Sequence, residues 1–382
     1  MKKIIGWFLG ILLLGVAALY IFDYSYILKG IRVVYLTGHT TAFIDDFEYF
    51  ETETIHASPQ AQPWPQHRKY NTIAPTSTLD SLNKELGTIA FLLIKNDSII
   101  YEKYAEGYGP DSETNSFSMA KSIVSAMLGK AIQEGYITGL DQPVADFYPQ
   151  FQNTGLTVGD LSSMASGLNW DESYQNPFGM TARAYYDDNL AETILSLEIV
   201  GTPGKKFEYL SGNTQLLAMV IQKAIEPSSM DLATYLSEKF WKPMGAHESA
   251  LWQVDDPIHE LVKAYCCIGS NARDFARFGK LYKNFGKWNG QQLLDSSFVA
   301  KSITPRFEES PEYGYGFWLS NYREKEIFVM RGILGQYVIT IPEDDLIIVR
   351  LGHNRGKKGE RPFTNDFYYY IDAAYQMLSQ EI

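Results

Sequence analysis

The feature that most constrains the fold is an apolar run that follows Ser118 and Lys121. From Ile123 to Ile132 the residues are apolar nearly all round a helix, with few polar interruptions. A helix of this kind is buried inside a large domain. Gly135 marks its end. We therefore predict a buried helix between Ser118 and Gly135, with Ser118 and Lys121 at one end of a core element.

Ser118 and Lys121 are three residues apart, so on a helix their side chains lie on one face, one turn from each other. A serine hydroxyl attacks an acyl carbon only when a base takes its proton, and burial favours the neutral lysine that such a base must be. The start of a helix also favours a developing oxyanion. The competing interpretation is a capping serine with a helix-start lysine. Ser81 and Lys84 share the spacing, and we predict that they lie on a solvated helix face.

The composition fits a folded protein with a sizeable core. Of the 382 residues, 45% are hydrophobic and 14% aromatic, which suits one large domain or two interleaved subdomains. The net charge of −12, without a basic stripe, argues against a nucleic-acid partner. The six histidines lack metal-ligand spacing, so we expect no metal and no other cofactor. Cys266 and Cys267 are adjacent, and we expect two reduced thiols because neighbouring side chains rarely converge.

Residues 1–22 are typical of a membrane segment. Lys2 and Lys3 precede an uncharged run over residues 4–22, which as a helix would span roughly 28 Å, close to the ~30 Å of a bilayer core. A cleaved signal peptide is the alternative, with Val16-Ala17-Ala18 as the cleavage site, although the apolar run continues past it. With both lysines inside, the rest of the chain lies outside the cytoplasm.

Residues 23–76 form an extension before the main domain, which we assign to residues 77–382. Three prolines between residues 59 and 65 predict a stretch without regular structure. Four aromatic residues between 43 and 50 make the extension too apolar for a free linker. Two interpretations stay open: a strap packed over the main domain, or a spacer off the membrane.

The main domain combines strand-like and helix-like segments. Residues 76–86 predict a short helix, and residues 88–94 and 98–101 predict a hairpin that turns at Asn96-Asp97. Further helices are predicted over 157–164, 189–197, 213–224, 231–240 and 272–284. Strands are predicted over 313–320, 326–331, 336–341 and 346–351, before a helix over 363–378. The order predicts an α+β fold, an antiparallel sheet flanked by helices with an inserted all-helical lobe.

Four stretches, in order and spacing, complete the pattern. The first two are Phe117-Ser118-Met119-Ala120-Lys121-Ser122, and Gly135-Tyr136-Ile137 with Leu140-Asp141-Gln142-Pro143-Val144. The last two are Pro203-Gly204-Lys205-Lys206-Phe207-Glu208-Tyr209-Leu210-Ser211-Gly212-Asn213 and Arg331-Gly332-Ile333-Leu334-Gly335-Gln336. Together they resemble the motifs of the β-lactamase-like serine hydrolases. That superfamily includes class C β-lactamases, D,D-peptidases, family VIII esterases and 6-aminohexanoate-oligomer hydrolases, and the resemblance extends from about residue 77 onward.

The resemblance implies a role for each motif residue. Ser118 would be the nucleophile, and Lys121 and Tyr209 would share the base role. A phenol of pKa near 10 acts as a base at neutral pH only if a cation stabilises the phenolate, and Lys121 would be that cation. The backbone N–H groups of Ser118 and Gln336 would form the oxyanion hole. Ser211, where much of the superfamily has asparagine, would contact Lys121 or the substrate.

The third motif departs most from the superfamily. Ile333 and Gly335 lie in the stretch where penicillin-recognising relatives have Lys-Thr-Gly or His-x-Gly, so the cation expected to bind a substrate carboxylate is absent from this motif. Arg331 lies two residues before Ile333 on the same predicted strand, hence on the same face, and could reach a carboxylate further along the cleft. The candidate substrate-binding residues are Ser211, Trp170, Ile333 and Gly335.

The resemblance implies a membrane-anchored serine hydrolase that cleaves an amide or ester of a small molecule or short peptide through an acyl-enzyme. A D,D-peptidase or β-lactamase is an alternative, and so is a non-catalytic binding module like a penicillin-binding protein. The implied location is the bacterial inner membrane with the catalytic domain on the periplasmic side. If the first segment is cleaved, the protein is secreted.

Overall fold

An antiparallel sheet lies at the centre of the molecule in the computed structural model, which describes residues 2–381. The strands in this range are β1 (Thr52–Ile55), β2 (Thr88–Lys95), β3 (Ser98–Tyr104), β4 (Thr114–Asn115), β5 (Ala250–Gln253), β6 (Ile268–Ser270), β7 (Lys287–Trp288), β8 (Gln291–Gln292), β9 (Trp318–Ser320), β10 (Ile327–Arg331), β11 (Tyr337–Ile341) and β12 (Leu346–Gly352). The central sheet has the order β3-β2-β12-β11-β10-β9, with antiparallel neighbours. It joins the early hairpin to the late strands.

Helices cover both faces of this sheet. The α-helices found between residues 2 and 381 are α1 (Lys2–Ile21), α2 (Tyr26–Gly30), α3 (Ser77–Glu85), α4 (Ala120–Gln133), α5 (Val158–Ser162), α6 (Met180–Tyr186), α7 (Leu190–Leu195), α8 (Ser211–Ile225), α9 (Leu232–Leu236), α10 (Ala272–Lys283), α11 (Ser296–Ser302) and α12 (Asn365–Leu378). Phe91 and Leu93 of β2 pack towards α3 and α12, whereas Leu92 and Ile94 belong to the core that contains α4 and α10. Since both faces are covered, β2 is apolar along most of its length.

The predicted α+β class and the antiparallel sheet with an inserted helical lobe are confirmed. The lobe contains α5 to α9. Several boundaries differ: the helix predicted over 231–240 consists of α9 and a π-helical turn over Ser237–Trp241, and the strand predicted over 313–320 is limited to Trp318–Ser320. A second sheet of order β1-β5-β6-β4 was not predicted.

The extension packs against the main domain. Its strand β1 pairs with β5, and Phe43, Ile44 and Phe47 are buried. We call residues 43–55 the strap, because they run from β4, where the Asn115 N–H donates to the Ile44 carbonyl, to the pairing of β1 with β5. Of the two interpretations left open by the sequence, the structure agrees with packing over the domain.

Helix α1 is the one helix in the described range that is long and apolar enough to cross a membrane. None of its residues is buried, and its mean hydropathy reaches 2.5. The chain enters the domain directly after it: Asp23 Oδ2 lies 2.6 Å from Arg183 Nη1, and Tyr26 is buried. The apolar helix is therefore joined to the domain by a very short segment.

The two cysteines differ from expectation. Cys266 and Cys267 are joined by a disulfide, so the prediction of two reduced thiols is wrong. The φ of Cys267 is +78°, a left-handed conformation that turns the backbone between the two residues and allows their side chains to converge.

Candidate active site

Ser118 lies in a 3₁₀ turn, Phe117–Met119, that leads directly into α4. Phe117 has a φ of +44°, in the left-handed region that non-glycine residues rarely adopt. The backbone N–H of Phe117 donates to Asn115 Oδ1 at 2.9 Å, and that of Ser116 donates to the carbonyl of Ile268 in β6 at 2.8 Å. Residues 116–119, which we call the nucleophile turn after the predicted role of Ser118, are thus held by acceptors in β4 and β6.

Lys121 lies at the centre of the candidate site and is only 3% exposed. Its Nζ is 3.1 Å from Ser118 Oγ, 3.1 Å from Ser211 Oγ and 2.7 Å from the carbonyl oxygen of Tyr265. Burial lowers the pKa of Lys121 to about 8, and the nearby Glu172 carboxylate opposes part of that shift. At pH 7 about a tenth of Lys121 is therefore neutral, and the neutral fraction rises with pH.

Glu172, which the sequence did not single out, orients Ser211. The carboxylate accepts the backbone N–H of Ser211 at 2.6 Å and its hydroxyl at 2.7 Å. Because an ionised carboxylate only accepts, the Ser211 proton points to Glu172 and the Ser211 oxygen must accept from Lys121. The Tyr265 carbonyl also only accepts. A neutral Lys121 therefore directs its two N–H bonds at these oxygens and its lone pair at Ser118.

Tyr209 lies beside the serine and lysine, as predicted from the second motif. Its ring is 5.3 Å from Lys121 Nζ and 5.0 Å from the ring of Trp318. Burial raises the pKa of Tyr209 above its ordinary value, and a hydrogen bond with Ser118 offsets part of this rise. Burial thus favours the neutral forms of both Tyr209 and Lys121. The shared base role of Tyr209 and Lys121 stays a prediction.

Trp170 lies two residues before Glu172 and packs against the start of α8. Its indole is 6% exposed, and a Cβ at Gly212 would come within 2.7 Å of it. Gly212 is therefore the residue that lets the start of α8 approach the indole. The side chain of Trp170 packs against Gly212 of the second motif, and its contact with a substrate stays a prediction.

The third-motif strand ends in a turn supported by a buried arginine. Gly335 has a φ of +81°, and a Cβ there would lie 2.7 Å from Arg350 Nη1. The fully buried Arg350 donates to the carbonyls of Leu334 and Gly335 at 2.9 and 3.0 Å. Gln336 exchanges two side-chain hydrogen bonds with the backbone of Gly352, at 2.8 and 2.9 Å. These contacts fix the direction of the Gln336 backbone N–H.

Two backbone N–H groups are available for an oxyanion. Across residues 2–381, we find no acceptor for the N–H of Ser118 or that of Gln336. The two segments are adjacent, since a Cβ at Gly332 would come within 2.6 Å of the Ser116 carbonyl oxygen. Donors that are already oriented towards a developing charge need no reorganisation during reaction.

Arg331 is the last residue of β10, whereas Ile333 lies in the turn that follows, so the prediction that the two share one face of a strand is wrong. Both side chains are half-buried. The Arg331 guanidinium lies 4.9 Å from the Trp318 ring and 5.1 Å from the Phe363 ring. Among the side chains described for residues 2–380, no carboxylate pairs with it. Because Trp318 also contacts Tyr209, Arg331 provides a cation close to the candidate catalytic residues.

One group of side chains in the described range is close enough together to hold a metal ion. It consists of Asp111, His247 and Glu248, and both Asp111 and His247 are exposed. None of the three belongs to the site around Lys121, and exposed acidic groups commonly occur without a metal.

Comparison with known proteins identifies the family. The family model described as Beta-lactamase matches residues 76–371. The chain belongs to the beta-lactamase family. This assignment agrees with the predicted superfamily and makes the chain a hydrolase of the β-lactamase fold.

Relatives of this family member include a protein named as a 6-aminohexanoate-dimer hydrolase. The chain is 25% identical over 298 residues to the 6-aminohexanoate-dimer hydrolase of Paenarthrobacter ureafaciens, covering 72% of this chain and 74% of that protein. A Bacillus anthracis structure assigned as a 6-aminohexanoate-dimer hydrolase aligns with a TM-score of 0.73 at 22% identity, covering 88% and 92% of the two chains. An octameric penicillin-binding protein homologue from Pyrococcus abyssi aligns with a TM-score of 0.63 at 19% identity, covering 79% and 76%.

Proposed function

We propose that this family member is a membrane-anchored serine hydrolase that cleaves an amide or ester bond through an acyl-enzyme on Ser118. The observation that carries the proposal is the arrangement around Lys121. Ser211 Oγ and the Tyr265 carbonyl oxygen accept the two N–H groups of the neutral amine. Ser118 Oγ lies 3.1 Å from Nζ and faces the lone pair that remains. A neutral amine with its lone pair directed at a serine hydroxyl is the base that acylation requires.

In the first step, Ser118 Oγ attacks the substrate carbonyl carbon and its proton passes to Lys121. The carbonyl oxygen becomes an oxyanion, which the backbone N–H groups of Ser118 and Gln336 stabilise. The bond to the leaving nitrogen or oxygen then breaks. The Tyr209 hydroxyl gives its proton to the leaving group and regains one from the Lys121 ammonium. Water then hydrolyses the ester on Ser118 by the same proton transfers in reverse roles.

The third motif favours a linear substrate over a β-lactam. Ile333 offers apolar contact where penicillin-recognising relatives have a cation, and an apolar neighbour raises the cost of desolvating a carboxylate. Arg331 supplies a cation next to Trp318, which suits an anionic group at the far end of a longer acyl chain. The Paenarthrobacter relative, whose name gives a 6-aminohexanoate dimer as its substrate, supports this class of substrate.

The exposed apolar helix α1 supports attachment to a membrane, with the catalytic domain outside the cytoplasm. The very short segment between α1 and Tyr26 would hold the domain near the bilayer surface. A cleaved signal peptide remains the alternative, in which case the domain would be released.

The decisive experiment is active-site labelling followed by a hydrolysis screen. A fluorophosphonate probe should add its mass to the peptide that contains Ser118, and Ser118→Ala should abolish labelling. Ser81→Ala is the matched control, because Ser81 shares the spacing to a lysine but lies exposed on α3. Persistent labelling of Ser118→Ala at the wild-type rate would disprove the nucleophile.

The screen compares p-nitrophenyl esters, linear amides, D-Ala-D-Ala peptides and a chromogenic cephalosporin. We expect turnover of esters or linear amides and poor turnover of the cephalosporin. Preferential cleavage of D-Ala-D-Ala peptides or of the cephalosporin would favour the D,D-peptidase or β-lactamase alternatives. Labelling without turnover of any substrate class would favour a binding module.

A further inference from the structure

The strap contains a buried carboxylate, that of Asp46. Asp46 is fully buried at the start of a 3₁₀ turn. One carboxylate oxygen accepts from Asn115 Nδ2 at 2.8 Å and Gln253 Nε2 at 3.3 Å, and the other accepts from the Tyr185 hydroxyl at 2.6 Å. A buried charge is tolerated only when its hydrogen bonds are satisfied, and here neutral donors from three separate elements satisfy it.

Asn115 connects this carboxylate to the nucleophile turn. Its Nδ2 donates to Asp46, while its Oδ1 accepts the backbone N–H of Phe117 at 2.9 Å. Its own backbone N–H donates to the carbonyl of Ile44 in the strap at 2.7 Å. Because an amide has one accepting and one donating end, the Asp46 carboxylate determines which end faces Phe117. With the amide reversed, two N–H groups would face each other.

The residue held in this way immediately precedes Ser118. Phe117 is in the left-handed conformation, with a φ of +44°. Such a conformation persists only where the surroundings enforce it, and it sets the direction in which the next residue leaves the turn. A change at Phe117 would therefore move both the hydroxyl and the backbone N–H of Ser118.

Two further contacts keep the Asp46 environment ordered. The fully buried Lys263 donates from Nζ to the backbone carbonyl of Tyr185 at 2.5 Å. The same Nζ lies 4.0 Å from the ring of Phe50, which belongs to the strap. Burial lowers the pKa of Lys263 to about 7, and the nearby Asp46 carboxylate is one of the charges that oppose this fall.

We propose that Asp46 is a positioning residue for acyl transfer: through Asn115 it holds Phe117 in its left-handed conformation and so aims Ser118 at Lys121 and at the oxyanion position. This inference rests on the proposed role of Ser118 as nucleophile. Asp46 lies outside residues 76–371, the part of the chain that matches the family. The site is therefore completed by a residue of the extension that leads from the apolar helix.

The test uses the full-length protein in detergent and measures kcat, KM and the rate of fluorophosphonate labelling. Asp46→Asn keeps only one acceptor oxygen, so the new amide must turn an N–H towards either the Asn115 amide or the Tyr185 hydroxyl, and Asn115→Asp places two carboxylates against each other. We expect each substitution to lower kcat and the labelling rate about 10- to 100-fold, since small misplacements of reacting groups have effects of this size, with KM changed less than about threefold.

The double variant Asp46→Asn/Asn115→Asp exchanges the two groups. The new amide can donate to the new carboxylate, whose second oxygen can still accept the Phe117 N–H. We expect the double variant to recover most of the lost labelling rate, far above the product of the two single effects. A contribution to folding stability alone would lower the melting temperature of the single variants but leave kcat unchanged well below that temperature.

Asp45→Asn is the matched control. Asp45 is the adjacent strap carboxylate and accepts from the Tyr108 hydroxyl at 2.6 Å, with no bond to the nucleophile turn. We expect its kcat to equal that of the wild type. If Asp46→Asn does not fold, Tyr185→Phe serves instead, because it removes one hydrogen bond from the same carboxylate; we expect kcat to fall about threefold to tenfold.

The outcomes separate this inference from the proposed function. Labelling that survives in Ser118→Ala overturns the assignment of the nucleophile. If Ser118→Ala abolishes labelling but Asp46→Asn, or Tyr185→Phe in its place, keeps the full kcat and labelling rate, the positioning role of Asp46 is overturned. A double variant no better than the product of the single variants also overturns it.

Discussion

Glu172→Gln should shift the pH dependence of acylation to lower pH. In the native protein the Glu172 carboxylate raises the pKa of Lys121 and opposes part of the effect of burial, which on balance holds that pKa at about 8. Removing the negative charge removes this opposition, so the pKa of Lys121 should fall further. Since the neutral amine is the proposed base, the rate should reach its plateau at a lower pH.

The size of the shift follows from the two hydrogen bonds that join the groups. At 3.1 Å and 2.7 Å, these bonds place Lys121 Nζ and the nearer Glu172 oxygen no more than about 6 Å apart. At an effective dielectric constant of about 20, the interaction is roughly 3 kcal/mol, or about two pH units. Glu172 is only half-buried, and solvent screening should reduce this by about half. We expect the acid limb to move down by about one pH unit.

The assay is the second-order rate of fluorophosphonate labelling between pH 5 and 10, which reports the free enzyme without knowledge of the natural substrate. Asp171→Asn is the matched control, because this neighbouring carboxylate is exposed and does not contact Ser211. An acid limb that stays within about 0.2 pH units of the wild type in Glu172→Gln would refute the electrostatic coupling. A shift of equal size in Asp171→Asn would refute its assignment to Glu172.

Three further predictions follow from the site and the apolar helix. Lys121→Ala and Tyr209→Phe should each lower kcat/KM for an ester by about 10²- to 10⁴-fold. The double variant should be little worse than the worse single variant, because the two residues move one proton. Losses that multiply would indicate independent roles. Ile333→Lys should raise the ratio of kcat/KM for a cephalosporin to that for an ester by about 10- to 100-fold, because a charge-assisted hydrogen bond to a carboxylate contributes roughly 1.5–3 kcal/mol. An unchanged ratio would contradict the interpretation of the third motif. Carbonate-washed membranes should retain the full chain but not one that begins at Asp23, whereas a mature N-terminus at Leu19 would establish cleavage.

The sequence predicts those parts of the fold and site that have a local pattern. The buried helix after Ser118 follows from its apolar run, and the two sheet halves follow from β-rich segments near the hairpin and the late strands. Ser81 and Lys84, which have the same spacing as Ser118 and Lys121, are exposed on α3 as predicted, because α3 has a polar face. Motif order places Ser118, Lys121 and Tyr209 in one family pattern, and the structure brings them together.

What the sequence could not predict depends on contacts between distant segments. Glu172 lies in a polar loop with no periodicity, and its hydrogen bonds to Ser211 join positions that are 39 residues apart in the sequence. The Tyr265 carbonyl is a backbone group, so no side-chain pattern marks it. Arg350 did carry a signal, because a charged residue inside an apolar strand needs buried acceptors, and here these are the carbonyls of the third-motif turn.

The pairing of β1 with β5 also determines when the nucleophile turn can reach its final form during folding. The two strands are separated by roughly 200 residues, so β1 is synthesised long before its partner. Contacts this distant in sequence form late, since closing a long loop must precede any gain from pairing. Until β5 is present, the strap has no sheet edge to complete, and Asp46 lacks the Gln253 side chain at the end of that strand. If Asp46 positions the nucleophile turn as proposed, partly folded forms that lack the β1–β5 pairing should contain the intact motif residues but acylate slowly.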